Sequence, residues 1–159
     1  MKKAILVSLS ILAAATLSSN AQGTYHKSGS ALLHAGIGAG VSCVPISAGV
    51  DFTVFEFSPQ VSMFAGLNTA FAIGTNVSVN HFYIGPEVGV NFALNDKFEL
   101  YTKGVVGPYF VLAQYYHPHF WSAGAYVGAN YYFSDNLGIG AYAGYGMPSF
   151  VGVRLNVKL

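Results

Sequence analysis

Between His81 and Leu94 apolar and polar residues alternate one by one. Phe82, Ile84, Pro86, Val88, Val90, Phe92 and Leu94 form one set, and His81, Tyr83, Gly85, Glu87, Gly89, Asn91 and Ala93 the other. A period of two marks an extended strand with one greasy face and one polar face. At roughly 3.3 Å per residue the stretch is long for a globular strand but suits a tilted strand crossing a bilayer. Asn95-Asp96-Lys97 then reads as a tight polar turn.

The same design predicts strands over Leu32–Ser42, Ser47–Phe57, Gln60–Phe71, Phe98–Leu112, Phe120–Phe133, Leu137–Met147 and Phe150–Leu159, about eight in all. Val44-Pro45-Ile46 is expected to make the first connection, and Ser58-Pro59, Ser134-Asp135-Asn136 and Pro148-Ser149 tight turns. Ala72–Asn80 and Gln114–His119 are the longer loops. In the second strand the alternation sends Ala48, Val50, Phe52 and Val54 outward, with Gly49, Asp51, Thr53 and Phe55 inward, and it blurs at Glu56.

The phase of the charges decides what kind of barrel this is. Asp51, Glu87, Glu99, Lys103, Arg154 and Lys158 all share the glycine-bearing face, three acidic and three basic, and the opposite face is uncharged through mid-strand. A soluble barrel would have polar residues outside. A charge on a lipid-facing midplane position costs ~2–4 kcal/mol, so its absence is what a bilayer selects. The inner charges are expected to form a mutually neutralising structural network, with Glu87 pairing Lys103 across the Asn95 turn. Inward Tyr83, Tyr101, Tyr109, Tyr126 and Tyr142 imply a filled lumen, which opposes an open pore.

Composition sharpens this picture. Of 159 residues, 53% are hydrophobic and only 8% charged, against about 25% charged in a soluble domain. Met1-Lys2-Lys3, the apolar run Ala4–Leu17 and the small residues before Gln22 read as a cleavable signal peptide over 1–21, followed by a periplasmic tail over 22–31 and a barrel over 32–159. With the termini periplasmic, the short turns fall on that side and the longer loops outside. No basic stripe suggests nucleic acid. Cys43 is the single cysteine, so no internal disulfide can form.

Candidate chemistry is sparse. Gly36-Ile37-Gly38-Ala39-Gly40 and Gly138-Ile139-Gly140 lie inside strands with no helix following, which fits room for neighbouring tyrosines better than a phosphate loop. His117-Pro118-His119 offers too few ligands for a closed metal site. Together with Tyr115, Tyr116, Phe120 and Trp121, His117 and His119 read as an aromatic girdle and outer loop that anchor at the interface or touch a partner. His81 and Ser122 could seed a hydrolase, but they sit on non-adjacent strands with no rim carboxylate to orient a base. Asn76-Val77-Ser78 matches a glycosylation sequon that a bacterial exporter would ignore.

The stretch HFYIGPEVGVNFALNDKFELYTKG, the closing VGVRLNVKL and the N-terminal leader resemble the small eight-stranded outer-membrane barrels of the OmpA/OmpX-like superfamily, in particular the single-domain barrels of Bacteroidota. The chain departs from many of them in ending on Leu159 rather than an aromatic residue. The resemblance implies an all-β, eight-stranded antiparallel up-and-down transmembrane β-barrel in the bacterial outer membrane. Its expected partners are outer-membrane lipid, lipopolysaccharide and, during insertion, the barrel-assembly machinery. The expected role is structural or adhesive, without catalysis, cofactor or metal, and with any host or surface ligand unknown. A lipid A-modifying enzyme and a narrow channel for ions or small solutes are the alternatives.

Overall fold

The computed structural model describes residues 28–75, 79–112, 119–146 and 149–159. Eight strands run in order: β1 (Ala31–Ala39), β2 (Cys43–Ser58), β3 (Val61–Gly74), β4 (Asn80–Ala93), β5 (Phe98–Leu112), β6 (His119–Tyr132), β7 (Leu137–Tyr145) and β8 (Val151–Lys158). Each pairs antiparallel with the next, and β8 pairs with β1 to close the barrel. Closure removes both sheet edges, which is how a strand architecture satisfies its backbone within lipid. The proposed leader (1–21) and most of the proposed tail lie outside the described residues. What is described of the tail has already joined the sheet: Gly29 N donates to Thr53 O at 2.9 Å, and Ala31 opens β1.

Three turns at the end carrying the termini share one device. Ser58 Oγ accepts from Gln60 and Val61 N at 3.3 and 3.2 Å. Asn95 Oδ1 accepts from Lys97 and Phe98 N, both at 2.9 Å, and Ser134 Oγ accepts from Leu137 N at 3.0 Å. A short polar side chain at the start of each turn takes up the amides that the ladder leaves behind.

Two expectations are corrected here. Val44-Pro45-Ile46 is not a connection but part of β2, with Pro45 opposite Ala72 and Ile46 opposite Ile37. Proline holds its predecessor extended, which suits a strand. The reversal lies earlier, at Gly40–Ser42, where Ser42 takes the left-handed φ of 57° and Gly40 bridges Cys43. Phe55, expected inside, lies outside and is 53% exposed. The β2–β3 register shifts between Thr53 and Phe55, so this bulge puts Val54 and Phe55 on one face and exchanges the two phases beyond it. Glu56 is blurred in the sequence for that reason, and its Oε2 accepts from Ser28 N at 3.2 Å.

The exposed surface is the apolar one. Leu33, Phe52, Leu67, Val88, Val106, Val127, Ile139 and Leu155 are among the large hydrophobic side chains it presents, while Asp51, Glu87, Glu99, Lys103 and Arg154 are buried inside. No described helix is long and apolar enough to cross a membrane; the crossing elements are the strands. An outer face of this kind is stable only against lipid, so the protein spans a membrane.

Large side chains fill the lumen by leaning over glycines. Opposite His34 stands Gly49, opposite Asp51 Gly66, opposite Phe64 Gly89, opposite Tyr101 Gly128, and opposite Tyr142 Gly152. In each pair a Cβ on the glycine would collide with the facing side chain. In every pair the glycine lies on the following strand, so the lean runs in one rotational sense. The small residues are what let eight strands close around so many rings.

Candidate functional site

The interior is layered. Nearest the termini, Asn130 Nδ2 donates to Glu99 Oε1 at 2.5 Å and Tyr132 OH donates to the same oxygen at 3.0 Å. Asn130 Oδ1 accepts from Asn156 Nδ2 at 2.9 Å and from Arg154 Nε at 3.3 Å. Lys158 Nζ stands 3.5 Å above the Tyr132 ring and the Arg154 guanidinium 4.0 Å above Tyr101, both cation–π contacts. Glu99, Asn130 and Asn156 are wholly buried.

At mid-height one carboxylate gathers the next layer. Glu87 Oε2 accepts from Lys103 Nζ at 2.5 Å and from Asn68 Nδ2 at 3.1 Å, while His34 Nε2 stands 2.9 Å from Oε1. Asp51 Oδ2 is 3.5 Å from the same histidine nitrogen. The geometry follows from the lean: Gly49 lets His34 cross towards β2, and Gly66 lets the Asp51 carboxylate cross the rung that ends on Glu87. Charges removed from water this far persist only when paired and hydrogen-bonded, and this layer supplies both. His34, Asp51 and Glu87 place ligand atoms within 4.8 Å of one another, close enough for a metal ion. Lys103, at hydrogen-bond distance from Glu87, already supplies the positive charge that such an ion would bring.

Towards the other end Ala70, Tyr83, Val105, Tyr109 and Tyr126 form an apolar plug, with Val111 and Tyr142 packed against it. Between plug and charges lies a cavity of about 30 Å³. The rim beyond the plug is aromatic: Trp121 is 78% exposed, Phe120 is exposed, and Tyr145 lies against Phe150 with ring centroids 6.0 Å apart. Here β6 outruns its neighbour. The β6–β7 ladder begins at Ala125 opposite Tyr145, and among the described residues no strand pairs with His119–Ser122 on the side away from β5.

All six interior charges named from sequence line the lumen. Asp51, Glu87 and Lys103 meet at mid-height, while Glu99, Arg154 and Lys158 belong to the lower layer. Phe120 and Trp121 sit on the rim and His119 opens β6, whereas Tyr115, Tyr116 and His117 lie outside the described residues. His81 and Ser122 do not form a catalytic pair. The His81 ring stacks on Tyr109 with centroids 5.3 Å apart. Ser122 faces Gly107, four residues down β5 from the Val111 that faces His81, or about 13 Å along the strand. The uncharged polar residues His34, Asn68, Asn130, Tyr132 and Asn156, which bind the charges together, were not singled out from sequence. The only signal they carry is sharing the glycine phase.

No known protein family matches the chain, and no curated protein does. Solved structures do. The N-terminal β-barrel domain of Pseudomonas aeruginosa OprF superposes with a TM-score of 0.60 at 11% identity, over 82% of this chain and 98% of that one. A de novo designed transmembrane β-barrel superposes with a TM-score of 0.54 at 22% identity, over 84% and 98%. The fold is that of the small eight-stranded membrane barrels. At these identities the likeness is one of architecture, and the lumen and rim must be read from this chain's own residues.

Proposed function

We propose that the protein is exported by its N-terminal leader to the bacterial outer membrane, with both termini periplasmic, and acts there as a structural and adhesive barrel rather than as a catalyst or conduit. Lipid and lipopolysaccharide are its surroundings, and the barrel-assembly machinery is its partner during insertion. The observation that carries the adhesive reading is the β6 edge at His119–Ser122, which no strand among the described residues pairs on the side away from β5, with Phe120 and Trp121 exposed on it. A strand edge with free N–H and C=O groups is a template for adding another chain's strand, and aromatic neighbours supply contact area. The plugged lumen supports a role on the surface instead of transport. The separation of His81 from Ser122 supports a role without lipid hydrolysis.

The test is attachment to a protein-coated surface by Gram-negative host cells displaying the protein. Phe120→Lys and Trp121→Lys blunt the edge with lysine, as natural edges are blunted. Attachment should fall several-fold in the double variant at equal barrel abundance in the membrane. Unchanged attachment would overturn the adhesive reading.

A further inference from the structure

The mid-lumen cavity is lined by cations and donors with no acidic residue among them. Lys103 and Arg154 supply the charge, and His34, Asn68, Tyr83 and the Tyr142–Ser149 hydroxyl pair supply polar contacts. Three of these groups are incomplete. Arg154 Nη1, Tyr83 OH and Asn68 Oδ1 are each buried without a hydrogen-bond partner, although Arg154 and Tyr83 are 5% and 1% exposed. Leaving a buried polar atom unpaired is costly, and two of these three, Arg154 Nη1 and Tyr83 OH, are donors.

We propose that this cavity is a binding site for one small monatomic anion of the halide class. The unpaired donors favour an anion over a cation. Arg154 Nη1 and Tyr83 OH both offer protons, and Lys103 Nζ has protons beyond the one it gives to Glu87. The nearby carboxylates of Asp51 and Glu87 are not on the cavity wall. Size sets the upper limit: about 30 Å³ holds roughly two waters, or one monatomic ion, but no sulfate or organic acid. An anion there would join Arg154 to the upper plug through Tyr83, tying the charged and aromatic layers together.

The experiment uses the full barrel refolded in detergent micelles, with thermal midpoints followed in sodium chloride, bromide, gluconate and sulfate at equal ionic strength. Chloride and bromide should raise the midpoint in a saturable manner, while gluconate and sulfate should not. Tyr83→Phe removes one donor to the ion and should weaken the apparent halide affinity roughly tenfold. Tyr109→Phe is the matched control. Its hydroxyl is also buried and unpartnered, but it does not line the cavity, so the halide response should persist. Crystals grown in bromide should show an anomalous peak between Arg154 and Tyr83. A midpoint that follows ionic strength alone, an equal response in both variants, or a cavity containing only water would each overturn the site.

Discussion

Lys103 Nζ donates to Glu87 Oε2 across 2.5 Å, although the two residues are not opposite each other. Glu87 faces Val105, and Lys103 faces Gly89 one inward position further down the β4–β5 hairpin. The ammonium reaches diagonally, and the carboxylate it meets is already engaged by His34 and Asn68. Glu87 therefore holds β1, β3 and β5 through side chains while sitting on β4.

Removing one partner of such a pair leaves a buried charge without compensation. Lys103→Met should cost about 3–5 kcal/mol in urea unfolding from lipid vesicles. Glu87→Gln combined with Lys103→Met removes both charges and should recover most of that loss. A double variant no more stable than Lys103→Met would show that Glu87 does not depend on Lys103.

Tyr101 and Gly128 test the lean. A Cβ on Gly128 would fall against the Tyr101 ring, so Gly128→Ala should destabilise by about 1–3 kcal/mol through overpacking. Tyr101→Leu in the same chain should relieve part of that cost, because contacting sites couple. Additive losses in the double variant would mean that the two residues do not compete for the same space.

These relationships mark where the sequence stops being legible. Alternation alone places eight strands, their polar inner face and the three turns at the end carrying the termini, because a lipid-facing phase tolerates no charge and the pattern has only two phases. It cannot show the bulge at Val54-Phe55, since two adjacent apolar residues look like ordinary strand. It finds the Glu87–Lys103 pair because one short turn joins their strands. That Asp51 and His34 reach Glu87 depends on register across β1 to β4 and on Gly49 and Gly66 lying in between. The far loops carry Tyr115, Tyr116 and His117 beyond the described residues, and for them the pattern offers only polarity.

The β4–β5 seam is interrupted midway. Between the rungs Tyr83–Tyr109 and Glu87–Val105 no pairs form, and this gap holds Pro86 and Pro108, neither of which has an N–H to donate. Pro86→Val and Pro108→Val should each restore a donor and stabilise the barrel by about 0.5–1.5 kcal/mol in the same unfolding assay. Loss of stability in both would show that the seam is shaped to hold proline.

Sidedness can be probed at Val88, an exposed apolar position midway along β4. Val88→Arg should cost ~2–4 kcal/mol in a bilayer. Val88→Leu should be near neutral. An arginine tolerated there at no cost would place that face against water.

Planar-bilayer recording of the purified barrel bears most directly on whether this polar interior is packed shut. With the Tyr83–Tyr109–Tyr126 plug above the paired charges of Glu87 and Lys103, membranes carrying the protein should show no sustained single-channel conductance across the range of voltages the bilayer withstands. Discrete, long-lived openings by the folded wild-type chain would contradict a filled lumen.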